Sequence, residues 1–488
     1  MDAKIDNFSE MESVLSVKND MNDGIVTLFG RFGLGNQLRH LSLEKVSGLS
    51  AATLIISLCL FRINGVSIFG AYRERFKGLL NAGKNSFYRM MVRSAMDWRR
   101  LLLSMCSRFF AILRKEQAEH EESPRCYILD DTTLEKAGRY IENVSRVFDH
   151  VNGHCVLGFK LLLLAFSDGI STLPVDFSLH REKGRNGNFG LTKEERKKQF
   201  HISRRQSDPD KVRAKECNRN KIDMAIEMLQ RAWKHGIRAQ YLLADSWFAC
   251  EKLIQAVRSI GKGAVHYIGL AKMGKTRYEV RGRLHNAREL ITLYAREETH
   301  QCKQYKCLYI SLRARLGNQP VRIFLIKYGR RKNWNILLCS DMEMGFVRAF
   351  ELYQMRWNIE VLNKECKRYL ALGRCQGRNF NGQIADCTLC FITYIVLALG
   401  KRFASYETMG EIFREEKELL QAMTLWNRIL SCMKKLLTAM AKSTEVNLMV
   451  MLQELVSSED NSKQVVLIAD ALNKYCSHNQ PNAVLNYF

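Results

Sequence analysis

The chain has 488 residues, 47% of them apolar and only 5 of them proline, enough for more than one domain with a sizeable core. Lysine and arginine outnumber aspartate and glutamate 75 to 50, a net charge of +25 that points to a polyanionic partner, nucleic acid first. The 15 cysteines show no disulfide-framework spacing, which argues against a small secreted scaffold and for a reducing, cytoplasmic compartment.

Membrane attachment is also disfavoured. The N-terminus, MDAKIDNFSEMES, is acidic and lacks an apolar signal core. The longest apolar run, Cys387 to Gly400, is short for a span and follows Asp386. No basic amphipathic anchor or lipidation signal is evident. Cys387 and Cys390 form a CxxC inside that run. With no partner CxxC or CxxH they read as buried thiols, not as a metal site.

In chain order, residues 1 to about 115 read as helical. LSAATLIISLCLF (49–61) is a buried helix, and the runs 67–80 and 86–115 carry apolar positions near helical spacing, the latter capped by Asn85 or Ser86. This region is either a helix-turn-helix DNA reader or a bundle that supports the core. From about 124 the pattern turns to short strands: Cys126–Leu129, then 155–166 and 172–180. A helix over 221–236 follows, then a strand over 241–244 and a helix starting near Phe248. Between them, residues 181–221 are strongly basic. They read as a solvated loop or as a DNA contact carried by Arg196, Lys197 and Lys198. Residues 262–342 hold further strand-like runs, AVHYIGLAK among them. Residues 375–440 are helical again, and the tail after 455 is uninformative.

Three places carry chemistry. CYILDDTTLEKAG (126–138) ends a strand in Asp130 and Asp131, and QYLLADSWFACEKLI (240–254) ends one in Asp245. ELYQMRWNIEVLNKECKRYL (351–370) carries Tyr353, Arg356, Glu360 and Lys367 as Y-x2-R-x3-E-x6-K. At about 100° per residue on a helix, these four lie within about 60° of one another. By chance this spacing should occur on the order of 0.01 times in such a chain. The alternative is a solvated polar stripe, but Leu352, Met355, Trp357, Ile359 and Leu362 predict that much of the remaining surface is buried. Two strand-end carboxylates and one on a helix can converge on Mg²⁺, which prefers oxygen ligands and phosphate, with Mn²⁺ as a substitute.

These blocks resemble a bacterial DDE transposase of the insertion-sequence family-four type, whose hallmark is the Y-R-E-K signature. The likeness spans roughly residues 120–400 and rests on LDDTT, LADSWF and the Y-R-E-K helix. The resemblance implies an α/β fold: an RNase H-like core with a β-rich insertion between the second aspartate and the glutamate. It implies Mg²⁺-dependent cleavage and strand transfer at the ends of a mobile element. Mapped on this chain, it divides into a helical N-terminal region (1–118), a first core part (119–261), the insertion (262–342), a second core part with the Glu helix (343–400) and a C-terminal helical region (401–488). Asp130, Asp245 and Glu360 are the expected catalytic residues and metal ligands. Adjacent strand residues face opposite sides, so only one of Asp130 and Asp131 is expected to ligate; both fit the family's D-x-T form, and Asp130 is preferred. Tyr353, Arg356 and Lys367 are expected on phosphates. Trp247 is either a core tryptophan or a stacking platform for an unpaired base. Expected partners are double-stranded DNA and a second copy of the chain on that DNA, with no membrane, near the nucleoid. Two other functions use the same residues: a structure-specific nuclease on the same core, and a decayed, DNA-binding derivative.

Overall fold

The most apolar strand runs and the longest apolar helix together build the core. The computed structural model describes residues 24–421 apart from 46, 71–82, 119–122, 183–189, 330–332 and 405. The chain divides into two units, Met1–Leu420 and Gln421–Phe488, and the account below concerns the first. Most of the run at 67–80 and of the expected C-terminal helical region lies outside the described residues.

The N-terminal region is helical: α1 (Ile25–Phe32), α2 (Leu34–His40), α3 (Ala51–Ile63), α4 (Lys84–Met91) and α5 (Trp98–Lys115). The run expected as one helix over 86–115 is two helices. Its caps are Gly83 and Asp97, the latter accepting from the Arg100 N–H, rather than Asn85 or Ser86. Three antiparallel strands then form, β1 (Cys126–Glu135), β3 (His154–Ser167) and β4 (Thr172–His180). A short strand, β2 (Ser145–Asp149), precedes β3 and extends its far edge. After α6 (Lys193–Lys197), α7 (Pro209–Glu216) and α8 (Lys221–Lys234) comes β5 (Tyr241–Ala244), parallel to β1. Next are α9 (Glu251–Ser259) and β6 (His266–Ala271), which is parallel to β5. The run AVHYIGLAK, expected in the insertion, thus supplies a strand of the parallel centre.

The insertion continues as β7 (Arg277–Val280), β8 (Arg283–Asn286), α10 (Ala287–Tyr294), β9 (Thr299–Cys302), β10 (Cys307–Leu316), β11 (Gln319–Tyr328) and β12 (Trp334–Cys339). β12 returns antiparallel to β6, so the insertion extends the core sheet. Among the described residues the path runs β2-β3-β1-β5-β6-β12-β11-β10-β7-β8, with β4 beside β3 and β9 beside β10. Three antiparallel strands, a helical segment, a parallel strand and a helix are consistent with an RNase H-like core, to which β6 adds a second parallel strand. The α/β expectation holds: a large mixed sheet with flanking helices.

The chain closes with α11 (Phe346–Gln354), α12 (Trp357–Tyr369) and α13 (Phe380–Phe403). α12 packs on β1, β4 and α13, while α1, α3, α4 and α5 all pack on α13. α13 is long and apolar enough by composition to cross a membrane, yet that stretch is wholly buried inside the fold. Cys387 and Cys390 are buried thiols within it, as expected.

The basic segment is less of a loop than its composition suggested. Arg204 is buried against Glu142 and Asp210, and Arg213 against Glu216. Arg99 of α5 joins Asp176 of β4 to Glu216 of α7, and Arg231 of α8 meets the same aspartate. Part of the positive charge therefore neutralises buried carboxylates and ties helices to the sheet. Lys197 and Lys198 are exposed and Arg196 is half-buried.

Candidate active site

Strand register brings the first two carboxylates together. β1 pairs in parallel with β5 from Cys126↔Tyr241 to Leu129↔Ala244, so Asp130 and Asp245 each stand one step past the last pair. Parallel neighbours lie about 4.8 Å apart with paired side chains on one face, so the two carboxylates emerge side by side. The β1 strand does not stop there. It continues to Glu135 against β3, six residues past the expected end at Leu129. Alternation therefore persists through Asp130, Asp131, Thr132 and Thr133.

That alternation assigns faces. Thr132 accepts a hydrogen bond from Lys367 Nζ of α12 at 2.6 Å, so Asp130 and Thr132 look toward α12. Thr133 accepts from Lys160 Nζ at 3.0 Å, and Asp131 pairs with Lys221 at the start of α8. Asp131 and Thr133 thus look the other way, toward α8.

The Y-R-E-K residues do not lie on one continuous helix. α11 ends at Gln354 and α12 starts at Trp357. Between them the Met355, Arg356, Asn358 and Ile359 N–H groups bond three residues back instead of four. This tighter turn is 3₁₀-like. It leaves Tyr353 on α11, Arg356 at the junction, and Glu360 and Lys367 on α12. Leu352, Ile359 and Leu362 are buried as expected, but Trp357 is 61% exposed because the junction turns it outward.

The side chains still converge. Arg356 donates to Glu360 Oε1 at 2.5 Å, and its guanidinium stands 5.8 Å from the centre of the Tyr353 ring. Burial, then the carboxylates of Asp245 and Asp131, push the Asp130 carboxyl up to about 7, against a donated Asp131 N–H and the pull of Arg356. Asp245 is raised chiefly by burial too, and it accepts the Trp247 N–H at 2.9 Å. Burial raises Tyr353, with Arg356 opposing and Asp245 and Glu360 adding. Burial lowers Lys367, within reach of Asp149, Lys160 and Asp130. Arg196, Lys197 and Lys198 lie apart, on and just after α6.

The donor set suits a hard divalent cation. Asp130 and Asp245 are oxygen donors side by side, and crowding of like charge is what a cation relieves. Among the described residues, no three His, Cys, Asp or Glu side chains are drawn together closely enough to cage an ion, and Glu360 is turned to Arg356.

Lys221 and Lys160 were missed by sequence reasoning, and Lys160 looks like an error in an apolar strand, CVLGFKLLLLAF. A lysine interrupting such a run is the signal that it has an acidic or polar partner across the sheet.

A mixed sheet that sets two carboxylates side by side where β1 and β5 cease to pair is consistent with a nuclease-like α/β core. Residues 78–278 match the model of the DDE superfamily endonuclease family, and residues 180–396 match that of the transposase DDE domain family. The first match takes in Asp130 and Asp245, the second Asp245 and Glu360. Together they support a DDE transposase, an enzyme with nuclease or transposase activity of a class that acts on DNA and is generally dependent on divalent metal. No curated protein matches the chain.

Proposed function

We propose that this protein is a transposase of the insertion-sequence family-four type that cuts mobile-element ends and joins them to target DNA. The observation that carries this reading is the register of β1 and β5, which sets Asp130 beside Asp245, with Arg356, the partner of Glu360, within electrostatic reach of both. Asp130, Asp245 and Glu360 would hold Mg²⁺ or Mn²⁺. When bound, the metal supplies activation of a water or 3′-hydroxyl and stabilisation of the leaving oxygen. Glu360 must first part from Arg356, and a phosphate arriving at Arg356 offers that guanidinium an alternative, bidentate partner. Tyr353, beside that guanidinium, and Lys367, about two turns beyond Glu360 and held on Thr132, would grip the phosphodiester on either side.

The remaining parts support the same reading. Lys197 and Lys198 are exposed cations suited to duplex phosphates, with Arg196 beside them. Trp247 is 45% exposed next to Asp245, where a base leaving the duplex would find an aromatic face. The proposed division keeps residues 119–261 and 343–400 as the core and 262–342 as the insertion, with β6 shared between core and insertion. The N-terminal helices support the core through α13. The protein would act as a homodimer on cytoplasmic, nucleoid DNA.

Glu360→Gln tests the reading. The variant should bind DNA as the wild type does and lose Mg²⁺-dependent nicking of element-end DNA. Nicking at near wild-type rate would overturn the assignment. Joining of a pre-cleaved 3′-hydroxyl end to a plasmid separates transposase from nuclease: cutting without joining favours the nuclease, and neither activity favours a decayed DNA-binding derivative.

A further inference from the structure

Asp131 stands next to Asp130 in sequence, yet its carboxylate is committed elsewhere. Lys221, the first residue of α8, pairs with Asp131 Oδ2, and Lys160 Nζ stands 4.0 Å from Oδ1. The same Lys221 ammonium lies 5.1 Å from the centre of the Trp247 ring. One lysine therefore touches β1, opens α8 and meets the turn after β5. Its place is set from behind as well: Asn220 caps α8 by accepting the Ile222 N–H at 2.7 Å. Trp247 is anchored through its backbone N–H on Asp245 and by an edge contact to Phe248, itself 1% exposed, at 4.9 Å between ring centres. The indole is thus held by Lys221 and Phe248 and its backbone by Asp245, and 45% of the residue remains open to solvent.

A core tryptophan needs no such arrangement, since packing alone would hold it. An exposed indole presented beside a carboxylate and backed by a charge-fixed cation is built to receive something flat. An unpaired nucleobase fits: stacking on an aromatic face tolerates any base, and the cation behind the ring adds attraction for the neighbouring phosphate. We infer that Asp131 and Lys221 are positioning residues, an ion pair that fixes the Trp247 ring as the platform for a base displaced from the duplex beside the reacting phosphate. This rests on the transposase reading for the location of the reacting phosphate. It assigns Asp131 to the indole and not to the metal.

The probe is a forked oligonucleotide duplex with 2-aminopurine as its first unpaired base, compared with a fully paired duplex, using the full chain in EDTA. The wild type should quench the probe and prefer fork to duplex by about 5- to 100-fold, the range that base–aromatic stacking supplies. Trp247→Ala should abolish both effects, and Trp247→Phe should keep part of each. Lys221→Met and Asp131→Asn should lose most of the quenching and of the fork-to-duplex ratio, while Lys221→Arg retains them. The ratio cancels the general loss of one positive charge. A purely structural ion pair would lower the melting temperature and leave the ratio alone. An unchanged ratio in Trp247→Ala overturns the inference, as does an unchanged ratio in Lys221→Met. The test needs no cleavage. Glu360→Gln nicking at wild-type rate would sink the catalytic reading while the fork preference stood, and loss of the preference would sink the platform while metal-dependent nicking stood.

Discussion

Removing the Asp130 charge should make the metal-free protein more stable, and the effect should depend on pH. The fold penalises ionisation at this position, first through burial and then through Asp245 and Asp131, raising the carboxyl from 3.8 to about 7. Below about pH 4 native and unfolded chains both carry the proton. Between about 4 and 7 only the native chain does, so the native state binds more protons and stability falls as pH rises through that window. Above about 7 the whole penalty is present. At about 1.4 kcal/mol per pH unit the ceiling is about 4 kcal/mol. Asp130 is half-buried, and solvent screening brings the expected figure to about 1–3 kcal/mol. Asp130→Asn should therefore exceed the wild type by that amount at pH 8 in EDTA, with the gap closing toward pH 4. Urea unfolding followed by circular dichroism across this range measures it. Adding Mg²⁺ should stabilise the wild type by mass action and the variant much less. A gap that is absent at pH 8, or that does not change with pH, would refute the account of a crowded carboxylate site.

The other predictions concern DNA contacts and the frame. Replacing Arg196, Lys197 and Lys198 by Ala should reduce the slope of log affinity against log salt by about 2–3, read by fluorescence anisotropy at several salt concentrations; an unchanged slope returns these residues to solvent. Arg356→Ala and Lys367→Ala should slow joining of a pre-cleaved end by about 100-fold while affinity for random duplex changes little, because misplacement of a reacting phosphate by about 1 Å is costly. Normal joining by both variants would undo the phosphate roles. Glu142→Ala should cost about 3–5 kcal/mol in urea unfolding, since it leaves the buried Arg204 short of its main partner. The same change frees the Phe380 N–H that Glu142 accepts at the start of α13. A cost under about 1 kcal/mol would show that the network rearranges.

Local pattern made some of this structure legible and left the rest hidden for identifiable reasons. Apolar runs marked β3, β4 and β5 to within a residue or so, because burial on both faces leaves a continuous apolar signature, and the run Cys387–Gly400 marked the apolar body of α13 without its first turns. β2, with the sequence SRVFD, is short and half polar, and it forms only because the end of β3 offers it an edge. The break between α11 and α12 has no proline or glycine to announce it. Helical periodicity across Met355 and Arg356 is nearly preserved, so a one-helix reading places the Y-R-E-K side chains almost correctly while missing the turn that exposes Trp357. The basic stretch at 181–221 looked uniform because composition counts charges without their partners. Glu142 and Asp131, which neutralise Arg204 and Lys221 within it, lie on other segments of the chain.

The choice between Asp130 and Asp131 shows where a single chain segment stops being informative. Both precede a threonine at the family spacing, both are half-buried, and both lie on the same strand. Pleating alone says only that they face opposite ways. What separates them is the identity of the neighbours on each face, set by strands and helices distant in sequence. β5 ends its pairing at Ala244 and presents Asp245 in line with Asp130, while α8 begins at Lys221 and presents an ammonium to Asp131. A one-residue slip of β1 against β5 would exchange the two roles and carry Thr132 away from Lys367. The register is held by the packing of Cys126 to Leu129, buried on both faces, against Tyr241 to Ala244, so the placement of the carboxylates rests on apolar packing that contains no catalytic group at all.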